Sequence, residues 1–258
     1  MAREKANEAR RTTRHGQPPD AQLPLDLRAS KRGGARPNAG RKLAGPRPRP
    51  VHGRRPDVTR HQGVHVTLRV CKEVRRLRRR AAYAAIRGAI AVCIGRPDFR
   101  IVQSSIQGNH IHLIVEADDK RALANGVRAF MISAAQRLNR AVGRRGPVFE
   151  RYHMTIVRTP RQARHAITYV LNNWRRHREH LAGPRQRRTP VDPYSSGPRF
   201  DGWRDRPADL GLPAGYKPLL VTGARSWLLT VGWRKHHALI GVDEVPGPDS
   251  STASRRRT

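Results

Sequence analysis

The stretch Phe99-Arg100-Ile101-Val102-Gln103-Ser104-Ser105-Ile106-Gln107-Gly108-Asn109-His110-Ile111-His112-Leu113-Ile114-Val115-Glu116 holds two β-rich apolar runs on either side of a Gly-Asn pair. Gly-Asn is a pair that marks turns, so the stretch predicts a hairpin with strands over 99–107 and 111–116. Side chains alternate along a strand, which places His110 and His112 on one face and Ile111 and Leu113 on the other. Two imidazoles two residues apart on a strand stand roughly 6.5 to 7 Å apart at the backbone and can converge on one metal ion. A His-x-His pair at a strand end is also a common surface feature, so the pair acquires meaning only from its surroundings.

Upstream, His65-Val66-Thr67-Leu68-Arg69-Val70 alternates with period two and predicts another strand. Between it and the hairpin, Val74, Leu77, Ala81, Ala85 and Val92 fall near helical spacing, predicting a helix over about 72–94. Downstream, Asp118 or Asp119 can cap a helix whose stripe is Leu123, Val127, Phe130, Met131, Ala134 and Leu138. Gly143 to Gly146 end that helix, and 148–158 reads as a fourth strand. Thr159-Pro160-Arg161-Gln162 then supplies a capping box with proline at the first helical position. The last helix has the stripe Ala163, Ala166, Ile167, Val170, Leu171 and Trp174. The order βαββαβ followed by a helix predicts an α+β, ferredoxin-like split βαβ fold with an antiparallel sheet.

Composition narrows the partners. With 53 Lys and Arg against 19 Asp and Glu, the net charge of +34 calls for a polyanion. There is no run of about 18 apolar residues and no apolar signal-peptide core, so the expected site of action is the cytoplasm, in association with the nucleoid, with no membrane partner. Cys71 and Cys93 form no CxxC pair, which disfavours a thiolate zinc site and a disulfide.

Residues 1–60 read as a disordered basic arm: between Lys31 and Arg60 ten basic residues face one acidic one, with almost no aliphatic periodicity. Within it, Gly33-Gly34-Ala35-Arg36-Pro37-Asn38-Ala39-Gly40-Arg41-Lys42 is similar to Gly-Arg-Pro arms that lie in A·T-rich minor grooves, making Arg36, Arg41 and Lys42 candidate DNA contacts. A solvated tail binding phosphates without sequence preference is the competing reading. Residues 61–181 hold the patterned elements. Residues 182–258 form an extension of unknown role, with Trp203, Trp227 and Trp233 as candidates for packing on the core.

Plotted at 100° per residue, Tyr169 and Asn173 lie one turn apart and well off the apolar stripe of the last helix. An exposed tyrosine shielding a helix flank is the plain explanation. The sharper one is a nucleophilic phenol that attacks a phosphodiester, with Asn173 as an oxygen donor to a metal. Tyr152 and His153 are a second Tyr-His candidate, read as packing or base-stacking. His65 and His165 are read as structural or phosphate-contacting. Arg75, Arg76, Arg78, Arg79 and Arg80 read as a solvated or phosphate-tracking helix face, and Arg175 and Arg176 as DNA contacts.

Three segments together carry a family resemblance: Gly108-Asn109-His110-Ile111-His112-Leu113-Ile114-Val115, then Gly146-Pro147-Val148-Phe149-Glu150-Arg151-Tyr152-His153, then Ala166-Ile167-Thr168-Tyr169-Val170-Leu171-Asn172-Asn173. In that order they resemble the HUH transposases with one catalytic tyrosine, and within them the REP-associated tyrosine transposases, over close to half the chain. The resemblance implies that His110, His112 and Asn173 match metal ligands for Mg²⁺ or Mn²⁺ and that Tyr169 matches the nucleophile. It further implies single-stranded DNA cleavage and strand transfer through a 5′-phosphotyrosine on hairpins of repeated palindromic elements, by a monomer or homodimer. Members commonly carry Asn-Pro after the tyrosine, whereas here Asn173 is followed by Trp174 and an Arg-rich run. Two other readings fit the same residues: a domesticated, non-catalytic DNA- or RNA-binding protein, and a relaxase or replication initiator, for which the chain is short.

Overall fold

The computed structural model describes residues 56–74, 76–235 and 237–247. Arg36, Arg41, Lys42 and Arg75 lie outside the described residues. Four strands and three long helices follow in the order β1 (Gly63–Arg69), α1 (Arg80–Ala91), β2 (Phe99–Ile106), β3 (His110–Ala117), α2 (Lys120–Ala141), β4 (His153–Val157) and α3 (Pro160–Arg176).

The strands form one sheet in the order β2-β3-β1-β4, with every neighbouring pair antiparallel. This is the ferredoxin-like α+β arrangement expected from the element order. Alternation along the strands divides the sheet chemically. Val64, Val66, Leu68, Ile111, Leu113 and Val115 face α1 and α2 in one fully apolar core. The opposite face carries His65, Thr67, His110 and His112, because Thr67 pairs with His112 and Arg69 with His110 across the β1–β3 ladder. Helix α3 lies over this second face.

Two elements depart from expectation. Helix α1 begins at Arg80 rather than near residue 72. Val74 and Leu77 are buried as their spacing foretold, but the Leu77 amide donates to Gly108 O at 2.8 Å. Arg78 reaches Ile106 O at 2.9 Å and clasps the Asp192 carboxylate at 2.7 and 2.9 Å. Long-range partners thus take the groups that a first helical turn would use. The fourth strand is broken: Cys71 N donates to Val148 O and Glu150 N to Arg69 O, and regular pairing resumes only at His153.

Caps match the sequence signals. The Asp119 carboxylate accepts from Ala122 N at 2.7 Å, opening α2. Thr159 Oγ1 accepts from Gln162 N, while the Gln162 side chain reaches back to Arg158 N, one residue before the N-cap. Helix α2 approaches β2 so closely at Gly126 that a Cβ there would come within 2.2 Å of the Phe99 ring.

The C-terminal segment is part of the packing. Val191, Phe200, Trp203, Leu229, Trp233 and Ile240 join Ile167, Val170 and Leu171 of α3 in a second apolar cluster. Trp203 and Trp233 are buried, whereas Trp227, expected to pack with them, is exposed. At the other end, residues 56–60 of the stretch read as an arm are held: Val58 is buried and Thr59 bridges Asp119. No helix among the described residues is long and apolar enough to cross a membrane.

Candidate active site

Beneath α3, four side chains from three elements meet at His112. The His112 ring is 2% exposed. Its Nδ1 lies 3.1 Å from His65 Nε2 and 3.2 Å from Thr67 Oγ1, both on β1. Its Nε2 lies 3.0 Å from Asn173 Nδ2, descending from α3. Each ring nitrogen of His112 is therefore assigned a separate neighbourhood: sheet on one side, helix on the other.

Tyr169 stands one turn before Asn173 on the same helix face. Its ring meets His112 edge-on at a centroid distance of 5.2 Å and His65 at 5.7 Å. His110 packs perpendicular to His112 at 4.6 Å and is in turn flanked by His177, just past the end of α3, at 5.5 Å. His110 Nδ1 is 2.7 Å from Asn109 Oδ1, which fixes the ring's orientation. The four residues singled out by sequence, His110, His112, Tyr169 and Asn173, are thus brought to one place. His65, Thr67 and His177 complete the cluster without having been singled out for it. His65 and Thr67 stand two apart on one strand, as His110 and His112 do. The β1–β3 register that sets them opposite is a long-range fact that a single sequence does not carry.

Electrostatics favour neutral imidazoles. Burial, reinforced by His177, Arg69 and His65, pushes His110 down to about 4. Burial and the neighbouring histidines hold His112 well below the ordinary imidazole value. Neutral imidazole is the metal-binding form, so no proton has to be displaced.

A divalent ion fits these residues on one further observation. Asn173 is fully buried, and its Oδ1 has no hydrogen-bond partner among the described residues. Rotating the amide by 180° exchanges Nδ2 and Oδ1 and brings that oxygen beside His112 Nε2. The 3.0 Å separation of the two heads equals that of adjacent ligands each about 2.1 Å from an octahedral ion. Among the described residues no group of three His, Cys, Asp or Glu is arranged to hold a metal; the Asn173 amide oxygen is a further donor of the kind a hard cation accepts.

Two clefts border the cluster. One, of about 540 Å³, runs along the start of α3 and is lined by His65, Thr168, Tyr169, Arg161 and His165. The other, of about 690 Å³, opens beside His110 and His177 and is lined by Arg69, Lys72 and Arg76. Arg76 is paired with Glu179. The two arginines that close α3 lean on the C-terminal segment: Arg175 donates to Val242 O and Pro190 O, and Arg176 to Gly247 O at 2.7 Å. Tyr152 packs against the apolar core, and His153 opens β4 in an exposed position.

No protein-family model and no curated protein matches the chain. Among solved structures, it is similar to a REP-associated tyrosine transposase bound to a REP hairpin, with a TM-score of 0.43 and 19% identity over 57% of this chain and 82% of that one.

Proposed function

We propose that this chain is a transposase-like, metal-dependent enzyme that nicks and rejoins single-stranded DNA, with Tyr169 as nucleophile. The observation that carries the reading is the convergence on His112: an edge-on tyrosine and an asparagine from one helix turn meet two strand histidines in a buried, proton-poor setting. A tyrosine that only shielded a helix flank would have no need of such company.

In the proposed reaction the Tyr169 Oη attacks a phosphodiester phosphorus, and the bond from phosphorus to the 3′ oxygen breaks. The 5′ phosphate stays on the tyrosine, the phenol proton passes to solvent, and the leaving 3′ oxygen takes one up. His110, His112 and Asn173 would hold Mg²⁺ or Mn²⁺, which when bound polarises the phosphate and offsets its charge. His65 and Thr67 keep His112 oriented from behind. Helix α3 holds nucleophile and amide ligand in a fixed relation, and the +34 charge draws the polyanionic strand in. The phosphotyrosine preserves the bond energy for rejoining, so no nucleotide cofactor is required. Hairpins of repeated palindromic elements are the proposed substrates, following the sequence resemblance, and the protein would act at the nucleoid.

The test is a denaturing gel of end-labelled hairpin DNA from the flanks of the gene, incubated with wild type or Tyr169→Phe in Mn²⁺ or EDTA. An SDS-stable adduct that needs the metal and is lost in the variant is the expected result. Salt-dependent binding without an adduct across several hairpins would replace this reading with that of a non-catalytic nucleic-acid-binding protein.

A further inference from the structure

The covering segment on the second sheet face contains a feature that the proposed chemistry does not use. From Lys217 to Val242 the sequence has no acidic residue, while Lys217, Arg225, Arg234 and Lys235 are basic. Within it, a π-helical turn, Leu228–Gly232, runs into the short helix Trp233–Lys235. Three anchors fix this turn. The buried Glu116 carboxylate accepts from Arg225 N and Ser226 N, each at 2.8 Å. Leu229 lies against Gly63 of β1, where a Cβ would come within 2.8 Å of it. Trp233 is buried and stacked on Phe200 at 5.6 Å.

On this held backbone Trp227 is 51% exposed, whereas Trp174, Trp203 and Trp233, the other tryptophans of the chain, are at most 5% exposed. The ring is seated over Gly232, where a Cβ would stand 2.7 Å from the ring carbons. Only a residue without a side chain leaves that seat open. One side of the indole is thereby supported and the rest faces water, next to an equally exposed Val231. A rigid aromatic surface on a segment that is basic in sequence, with Arg234 paired to Asp201, matches a ligand that is flat, apolar and polyanionic along its backbone.

We infer that Trp227 is a stacking platform for a base of single-stranded nucleic acid. This rests on the proposed function and adds to it a contact surface on the covering segment. The test uses the full chain and a fluorescein-labelled oligothymidylate, following anisotropy for binding and tryptophan emission for stacking. Wild type should bind with quenched emission. Trp227→Phe should bind within about twofold and lose the quench, because phenylalanine still stacks. Trp227→Ala should weaken binding roughly five- to a hundredfold, in line with the range for loss of one stacked base. Gly232→Ala, which lifts the indole from its seat with the tryptophan still present, should weaken binding as well.

An unchanged quench in Trp227→Phe, or wild-type affinity in Trp227→Ala, would overturn the platform and leave the DNA reading intact. Failure of wild type to bind the strand would overturn both. A change in the sedimentation of Trp227→Ala alone, at unchanged strand affinity, would make the patch a protein contact and overturn the inference too.

Discussion

Asn173 bridges helix to sheet by meeting His112: its amide nitrogen is 3.0 Å from Nε2, and its amide oxygen is buried without a hydrogen-bond partner among the described residues. The pair holds α3 over the second sheet face, and rotation of the Asn173 amide would bring its oxygen beside a neutral imidazole. Asn173→Ala should therefore do two separable things. It should cost about 1–3 kcal/mol in urea unfolding without metal, because His112 Nε2 loses its partner. It should also abolish the increase in midpoint that Mn²⁺ gives the wild type.

His65 touches His112 at Nδ1, the nitrogen facing away from Asn173. His65→Ala should lower Mn²⁺ affinity about 10- to 100-fold, the usual scale for loss of a group that orients a metal-bound histidine. Affinity for a hairpin measured in EDTA should stay near wild type. A variant with unchanged metal titration would remove His65 from the orienting role.

Arg78 and Asp192 form a bidentate ion pair with side chains only 4% and 0% exposed. Removing one member strands a charge, so Asp192→Ala should cost about 3–5 kcal/mol by urea titration. The double substitution Arg78→Met, Asp192→Leu should recover most of that loss, since neither charge then remains buried.

The Glu244 carboxyl gives a pH signature. Burial disfavours its charge, but the two hydrogen bonds and positive charge of Arg164 prevail and hold it below its ordinary value of 4.5. A carboxyl depressed by folding stabilises the protein above its unfolded value and loses that contribution as pH falls through its folded one. Unfolding midpoints should thus drop below about pH 4.5, more steeply in wild type than in Glu244→Gln. The pair is partly exposed, so the difference at pH 7 should stay under about 1 kcal/mol.

Helix α2 depends on a missing side chain. Gly126→Ala puts a Cβ into the Phe99 ring, with contacts of 2.2 to 2.5 Å. Helix and strand must separate to accept it, and a loss of about 1–3 kcal/mol is expected in thermal or urea unfolding.

The parts of this fold that were legible in the sequence are those set by local rules. The Gly108-Asn109 turn, the Asp119 and Thr159 caps and the stripes of α2 and α3 each act within a few residues, and each has its counterpart in the structure. The false start of α1 shows where such rules end. Val74 and Leu77 have helical spacing, yet their segment answers to Gly108 and Asp192, partners distant in sequence. The same holds for the site: period two placed His110 and His112 on one face, but the neighbourhood of His65 follows from strand register. The contribution of the C-terminal segment was illegible because Phe200, Trp203 and Trp233 have no periodicity and are assembled only by packing on α3.

Tyr169 and Asn173 share one rigid turn of α3, and that has a consequence for which sequence changes the site can survive. A single residue inserted between them would swing one about 100° around the helix axis relative to the other, while many substitutions at the intervening positions would leave their bearing unchanged. Length is therefore a constraint on this turn in addition to identity, because Val170, Leu171 and Asn172 are themselves fully buried, and an indel there should be selected against even where the packing could be restored.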